Sequence, residues 1–271
     1  MAVAGKHRSA IEGVGAAALA AFRYVGGMAL LLAETLRWTM LGVFSPRVRF
    51  PWGTLARQVV RVGLRSVPIV ALVQLFIGVI LALQMTPPLE PWGQVDKVAN
   101  IIGVAGFRML GPIITGVVLS GFAGASIAAE LGTMVVAEEI EALEATALNP
   151  VRYLVVPRVL ATFVVTVLLS VVADLMIALG GYVASLIIQA APAGYWVRMQ
   201  EQLLYRDFVT GLIQAGVFGV LISTIACYEG LRVRGGAEGV GRATTMTVVY
   251  SIVAIIAAAA VFTAIFYVFE L

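Results

Sequence analysis

Charged residues are scarce in this chain of 271 residues: they make up 12% of the sequence, whereas hydrophobic residues make up 61%. Soluble domains are nearer one quarter charged and one half apolar, so this balance excludes an ordinary globular protein. Cysteine is nearly absent too, since Cys227 is the single one, and this excludes a disulfide-stabilised secreted fold. Uncharged stretches of about 20 residues, which cross a hydrocarbon core of roughly 30 Å, recur from Ser66 onward. The sequence therefore predicts a polytopic membrane protein.

Residues that carry enzyme chemistry are equally scarce. His7 is the only histidine, so the Glu-x-x-His motif of carboxylate-bridged metal sites is missing, and no serine lies in a Gly-x-Ser-x-Gly turn. The two lysines, Lys6 and Lys97, do not follow the Gly-x-x-x-x-Gly loop that binds nucleotide phosphates. We therefore expect no catalytic residue, no metal site and no cofactor in this chain. If the protein does energetic work, another chain supplies the energy.

The long hydrophobic runs predict an all-α membrane protein with five transmembrane helices. These crossings are expected at about residues 66–85, 98–129, 159–188, 208–227 and 245–269.

The N-terminal segment has a different pattern, in which apolar side chains such as Phe22 and Trp38 alternate with charged ones such as Arg23 and Glu34. A break follows at Ser45-Pro46 and at Pro51. This pattern favours a helix that lies along the membrane interface, although the apolar stretch 25–33 leaves a re-entrant or elbow helix open. We accordingly divide the chain into an N-terminal segment, residues 1–60, and a membrane domain, residues 61–271.

The distribution of cations predicts the orientation in the membrane. Nine of the eighteen cations precede Ser66 and are spread among apolar residues, which favours an anionic lipid surface over nucleic acid as their partner. With the N-terminus in the cytoplasm, that side holds fourteen cations and the opposite side three, so the C-terminus is expected in the periplasm. The fourteen are Lys6, Arg8, Arg23, Arg37, Arg47, Arg49, Arg57, Arg61, Arg65, Arg152, Arg158, Arg232, Arg234 and Arg242, and the three are Lys97, Arg198 and Arg206.

The segment between the second and third crossings, residues 130–158, is acidic and has the spacing of an amphipathic helix. One predicted face holds Val136, Ile140, Leu143 and Ala147, and a neighbouring stripe holds Glu138, Glu141 and Glu144. Asn149-Pro150 is expected to end this helix, and Pro157-Arg158 to begin the next crossing. Such a helix suits a groove in a cytoplasmic partner, but a solvated connecting loop explains the composition equally well.

Small residues form a stripe on the second crossing at four-residue spacing: Gly116, Ser120, Gly124 and Ala128. Such a stripe lets another helix approach closely, either within the subunit or across a dimer seam.

Two charged residues, Arg108 and Asp174, fall inside predicted crossings, where each costs about 3 kcal/mol at the bilayer centre and so requires a partner. They could pair with each other. Alternatively Arg108, together with Gln84, contacts an anionic lipid head group, or Asp174 relays protons in a secondary carrier.

Two sequence blocks resemble a known family. The first contains Gly121-Phe122-Ala123-Gly124-Ala125-Ser126-Ile127-Ala128-Ala129-Glu130-Leu131-Gly132-Thr133-Met134, then Glu138-Glu139-Ile140-Glu141-Ala142-Leu143-Glu144, then Asn149-Pro150-Val151-Arg152-Tyr153-Leu154-Val155-Val156-Pro157-Arg158. The second is Arg234-Gly235-Gly236-Ala237-Glu238-Gly239-Val240-Gly241-Arg242-Ala243-Thr244-Thr245. In order and spacing both resemble the MlaE/YrbE family of lipid-transporting ABC permeases, from roughly Arg57 to the C-terminus.

The resemblance implies a permease subunit of the inner membrane that moves lipid, with phospholipid as the expected substrate, and that is not itself an enzyme. Its partners would be a P-loop ATPase, which binds ATP and magnesium, an MCE-domain protein and a second permease copy. Five glutamates and one arginine would serve the ATPase through a coupling helix: Glu130, Glu138, Glu139, Glu141, Glu144 and Arg158. The lipid cavity would hold Gln84, Arg108, Leu72, Leu75, Phe76, Val79 and Leu83.

The chain departs from the family pattern at three positions. Met109 follows Arg108 where the family commonly has glutamate, Phe122 stands where arginine is frequent, and Ala147 stands where glycine is frequent. The main alternatives to the permease are a proton-coupled carrier that uses Asp174 and a membrane anchor that recruits a cytoplasmic partner without transport.

Overall fold

The structure is a computed structural model that describes residues 2–44, 52–188 and 194–269, and the regular elements within these ranges are helices. We number them α1 (Ala2–Phe44), α2 (Trp52–Leu89), α3 (Lys97–Val136), α4 (Glu139–Ala145), α5 (Val151–Ile187), α6 (Tyr195–Gln202), α7 (Tyr205–Gly230) and α8 (Gly236–Val268).

The all-α membrane architecture is confirmed. The five predicted crossings lie almost entirely within α2, α3, α5, α7 and α8, each of which is long and apolar enough to span a bilayer. A sixth segment, Ala18–Gly42 of α1, also meets these criteria of length and composition. It covers much of the region for which an interfacial or elbow helix was predicted, and that orientation stays a prediction.

The first crossing helix is longer than predicted at its N-terminal end. α2 begins at Trp52, so Arg57, Arg61 and Arg65 belong to it, and the division between residues 60 and 61 falls inside a continuous helix. The exposed guanidinium groups do not end the helix, because long arginine side chains can lie along a helix and keep their charge in water. The break predicted at Ser45-Pro46 and Pro51 lies outside the described residues.

At its other end α2 continues through Pro87-Pro88 to Leu89. The φ of proline fits a helix, but each proline also removes a backbone donor and crowds the carbonyl four residues earlier, and α2 ends one residue after the second proline. The predicted stop was therefore about one turn early.

The helix α5 runs through the centre of the bundle and packs against α2 on one side and α7 on the other, while α8 packs against α3 and α7. One large hydrophobic cluster spans this packing and includes Val70 of α2, Leu169 of α5, Phe218 of α7 and Ile255 of α8. These are fully or almost fully buried side chains, and the exposed faces of the outer helices are also apolar, as lipid-facing surfaces are.

Close contact between α2 and α5 depends on glycine. A Cβ atom added at Gly78 would overlap the carbonyl oxygen of Ile177, and one added at Gly180 would overlap the carbonyl oxygen of Leu75. In lipid, where apolar burial contributes little to helix association, such close approach supplies the van der Waals contact that holds helices together. The two backbones therefore pack at a distance that only glycine allows.

Substitution of Gly180 by alanine should lower stability, because the obstructing atom is backbone and cannot rotate away. We expect a loss of about 1–3 kcal/mol, measured as a lower temperature of thermal unfolding in detergent. Gly121→Ala is the matched control, since a Cβ there meets no atom within 4 Å. Equal unfolding temperatures for the two variants would contradict this account of the α2–α5 contact.

Candidate functional site

The connection between α3 and α5 is a short helix bounded by two left-handed residues. Glu138 has φ 58° and Ala147 has φ 59°, whereas α4 between them has only seven residues. The predicted helix, whose apolar face was to run from Val136 to Ala147, is therefore wrong in length, since positive φ interrupts a right-handed helix. Ala147 stands where the resembling family often has glycine, the residue that this conformation favours.

The start of α5 follows from the sequence Asn149-Pro150. The side-chain oxygen of Asn149 accepts a hydrogen bond from the backbone N–H of Arg152 at 3.0 Å, which satisfies one of the free donors of the first turn. Pro150 supplies a φ that suits the beginning of a helix. The predicted end of the connecting segment at these two residues thus coincides with the beginning of the next helix.

The acidic face of the connection is open. Glu138, Glu139, Glu141 and Glu144 are all exposed, while Ile140 and Leu143 are half-buried. Of the other two residues on the predicted apolar face, Val136 and Ala147 are exposed. The four carboxylates therefore form an accessible anionic surface, which we call the acidic surface.

Glu130 does not belong to this surface. It lies on α3, and its carboxylate forms two ion pairs, with Arg158 of α5 at 2.8 Å and with Arg61 of α2 at 3.1 Å. Arg158 is buried, with 5% of its side chain exposed, and its Nη1 also donates to the carbonyl oxygen of Leu154 at 2.7 Å. We call these three residues the Glu130 triad, and it joins α2 to the two membrane helices that α4 connects.

The helix α1 contacts the same end of the bundle. The Asn149 amide donates to Glu34 at 3.2 Å, and the Arg152 guanidinium lies over the Trp38 ring at 5.4 Å from its centroid. The connection is thus held from inside the bundle by the Glu130 triad and from outside by α1.

Arg108 lies near the opposite end of the bundle and pairs with Asp207 of α7, at 3.4 Å, rather than with Asp174. Its guanidinium also lies over the Phe266 ring, at 5.1 Å from the centroid. The alternative in which Arg108 pairs with Asp174 is therefore wrong, because Arg108 turns toward α7 and α8. There it lines a recess of about 200 Å³ together with Met109, Gln214, Thr263, Phe266 and Tyr267.

Two buried glutamines that were not predicted from the sequence donate hydrogen bonds to backbone carbonyls near Arg108. Pro112 has no N–H to donate to the carbonyl of Arg108, four residues earlier, and the side chain of Gln214 donates to that carbonyl instead, at 3.2 Å. Gln74 donates to the carbonyl of Gly111 at 3.0 Å and to the Thr115 hydroxyl at 3.1 Å. The proline four residues after Arg108 was the available signal, since it leaves a carbonyl that needs a donor inside the membrane.

The backbone around Arg108 is π-helical, from Gly106 to Leu110, and a second π-helical turn covers Ser120–Gly124. Such turns are rare in proteins, and those that occur inside long helices are often found at functional sites. The arginine therefore lies on a locally widened turn of α3.

Asp174 is buried on α5, with 2% exposure, and packs against Gly111. Its Oδ1 accepts no hydrogen bond from a described group. It ends a stripe of buried polar residues in which Thr162 and Thr166 donate to carbonyls of their own helix, at 2.8 Å and 2.7 Å. Ser170, one turn before Asp174, is also buried, but its hydroxyl forms no hydrogen bond with Asp174 or with another described group.

The α2 residues that were predicted to line the lipid cavity do not line the same recess as Arg108. Leu72, Phe76 and Leu83 are exposed with Gln84 on the outer surface of the chain, and none of them lines the recess at Arg108. Leu75 and Val79 are half-buried beside α5. Within one chain, therefore, only Arg108 of the predicted cavity residues lines that recess.

The small-residue stripe packs inside the chain. A Cβ at Gly116 would contact Phe218 and Ile255, and one at Gly124 would contact Ile222 and Thr247, so both glycines face α7 and α8. Ser120 and Ala128, the other two members of the stripe, are completely buried. A dimer seam through these four residues is therefore wrong, because other helices of the same chain cover them.

Side chains that could hold a metal do not cluster in the part of the chain that the structure describes, where no group of three or more His, Cys, Asp and Glu residues comes together.

Comparisons with known proteins match most of the membrane region of this chain. The family model described as Permease MlaE matches residues 55–265. A probable ABC transporter permease protein of Rickettsia conorii is 38% identical over 201 residues, which cover 74% of this chain and 78% of the relative.

Two further relatives carry more specific descriptions. The intermembrane phospholipid transport system permease protein MlaE of Haemophilus influenzae is 29% identical over 262 residues, covering 95% of this chain and 97% of the relative. The chloroplastic protein TRIGALACTOSYLDIACYLGLYCEROL 1 of Arabidopsis thaliana is 32% identical over 221 residues, which cover 80% of this chain and 62% of the relative.

Removal of the Glu130 charge should destabilise the bundle, because Arg158 would remain buried without its anionic partner. We expect Glu130→Gln to lower the free energy of unfolding by about 2 kcal/mol, a value reduced by the partial exposure of Glu130. Glu141→Gln removes the same charge from an exposed position and should change stability by less than about 0.5 kcal/mol. Unfolding in detergent measures both, and equal losses would show that the Glu130 triad is not a structural tie.

Proposed function

The chain belongs to the MlaE permease family, and we propose that it is the membrane subunit of an ATP-driven transporter that moves phospholipid between its membrane and an MCE-domain partner. A separate P-loop ATPase would bind ATP and magnesium. The observation that carries this proposal is the acidic surface on α4, which is fully accessible yet joined at once to α3 and α5. A connecting helix in this position can receive force from a neighbour and pass it to two membrane helices.

The first step of the mechanism is docking of the ATPase on the acidic surface, at the end of the bundle that we assign to the cytoplasm. Four exposed carboxylates favour a groove lined by cations, and charge complementarity would set both the association rate and the orientation. Ile140 and Leu143, which are half-buried, anchor the other face of α4 against the bundle.

The second step is transmission through the Glu130 triad. Its three ion-paired residues lie on α2, α3 and α5, so displacement of α4 would move these helices together. Water and salt screen the Glu130–Arg158 pair least, because Arg158 is buried, whereas Arg61 at the other end of the network is exposed. Glu130 and Arg158 thus take a role beside the docking surface rather than on it.

The third step concerns the lipid, which we place toward the opposite end of the bundle. Arg108 offers a cation in a recess of about 200 Å³, and this volume suits a phosphate-bearing head group but not acyl chains. The acyl chains would then lie on apolar helix surfaces such as Leu72 and Phe76, which are 53% and 54% exposed. A second copy of the chain facing these surfaces would complete the lipid cavity.

A proton-coupled carrier is the rival function, and it would use Asp174. The buried stripe on α5 gives this carboxylate no chain of hydrogen-bonded partners, so the geometry favours a transporter driven by a separate ATPase. Asp174→Asn would then leave ATP-dependent lipid movement in place, whereas a carrier would lose transport.

Charge reversal on the acidic surface tests the docking step. Glu138→Lys with Glu141→Lys should abolish co-purification of the P-loop ATPase, because like charges would then meet across the interface. Glu201→Lys is the control, since Glu201 is also exposed but lies on α6, away from α4. Undiminished recovery of the ATPase with the double variant would overturn the assignment of α4 as the coupling helix.

The role of Arg108 is tested by a variant that keeps the buried charges balanced. Arg108→Met with Asp207→Asn removes both members of the ion pair, and we expect several-fold less phospholipid to co-purify with the permease. Asp207→Asn alone keeps the cation and should retain the lipid. Phosphorus analysis of the purified proteins measures the difference, and equal lipid content in both variants would exclude Arg108 from head-group binding.

A further inference from the structure

A second basic cavity lies at the α4 end of the bundle, far from Arg108. It has a volume of about 610 Å³ and is bounded by α1, the end of α7, the turn after it and the first half of α8. It lies at the α4 end because Gly132, near the end of α3, packs against Val233 and Val240 beside the cavity. Its polar lining includes Tyr24, Glu229, Arg232, Arg234 and Arg242.

Positive charge dominates this cavity, with three arginines and one glutamate in its lining. None of the three arginines forms an ion pair with a carboxylate among the residues that the structure describes. Arg232 donates to the Tyr228 hydroxyl at 2.6 Å and lies over that ring, which leaves Arg234 and Arg242 for a ligand. All three side chains are exposed, so an anion can reach them.

The wall of the cavity has the features of a membrane–water boundary. Tyr24 lies between Tyr228 and Tyr250, with ring centroids 5.2 Å and 5.1 Å away, and tyrosine is enriched at the level of lipid head groups. Apolar side chains continue beyond the rings on both flanking helices. Val25 of α1 and Val253 of α8 are 58% and 62% exposed.

We propose that this cavity binds the head group of an anionic phospholipid from the adjacent leaflet. The phosphate would lie between Arg234 and Arg242, and the acyl chains would follow the exposed apolar surface of α1 and α8. Basic pockets between membrane helices at the cytoplasmic surface are suited to such head groups, and the volume is that of an ordinary ligand site. The bound lipid would hold α1 against α7 and α8. This site is independent of the proposed transport function, since it requires only that this end of α8 lies at a membrane surface.

A soluble phosphate compound or an acidic protein segment would find the same arginines. A soluble phosphate compound would leave the tyrosine layer and the apolar flanks unused, and flanks that continue along two membrane helices suit acyl chains better than an acidic protein segment. The experiment therefore has to separate these three ligands.

The test measures retention of defined lipids by the full chain in detergent, with native mass spectrometry as the readout. Phosphatidylglycerol should bind the wild-type chain, and Arg234→Gln with Arg242→Gln should weaken its binding about tenfold or more. Phosphatidylcholine with the same acyl chains should bind more weakly and respond little to the double variant. Arg57→Gln with Arg65→Gln is the control, because it removes two exposed arginines from α2 at the same end but outside the cavity.

Three further measurements distinguish a lipid from a soluble phosphate compound and from a protein segment. Millimolar inorganic phosphate should not displace phosphatidylglycerol from the wild-type chain; displacement would assign the site to soluble phosphate and overturn the lipid proposal. Arg57 and Arg65 line a separate recess on α2, so equal loss of lipid in the control variant would show that retention is not specific to the cavity and would also overturn the proposal. Unchanged lipid binding in the Arg234→Gln/Arg242→Gln variant, accompanied by loss of ATPase co-purification, would assign the cavity to protein contact instead.

Discussion

The α4 end of the bundle depends on the ion pairs that the Glu130 carboxylate forms with two arginines. This carboxylate joins Arg61 of α2 and Arg158 of α5 from its own position on α3, so three membrane helices meet at one charged group. Arg158 is buried and requires an anion, and this requirement fixes how α3 and α5 enter the membrane on either side of α4. The short helix α4 accordingly connects two membrane helices that this charged group ties together.

Polar groups around Arg108 also satisfy one another inside the membrane. Arg108 is balanced by Asp207, and the carbonyl left free by Pro112 is satisfied by Gln214. These contacts hold a cation at the edge of a small recess without leaving it in hydrocarbon. The two ends of the molecule therefore carry separate chemistry, with an exposed anionic surface at one end and an ion-paired cation in a small recess near the other.

Much of the fold could be predicted from the sequence, because hydropathy over about 20 residues reports directly on the length of a crossing. Family motifs likewise placed the connecting helix between the correct crossings. The bounds of α4 could not be predicted, since Glu138 and Ala147 adopt left-handed backbone conformations that neither residue type indicates. The partner of Arg108 was also out of reach: Asp174 and Asp207 are both acidic, and only the packing of α7 against α3 selects the second.

Cross-linking from α4 tests the central claim most directly. Cys227, the only native cysteine, is completely buried, so a cysteine introduced in place of Glu141 can be labelled selectively with a photoreactive maleimide. In native membranes, irradiation should join this position to a nucleotide-binding P-loop protein, whereas a label in place of Glu201 should not reach that protein. Cross-links to the P-loop protein from position 201 but not from position 141 would contradict the account.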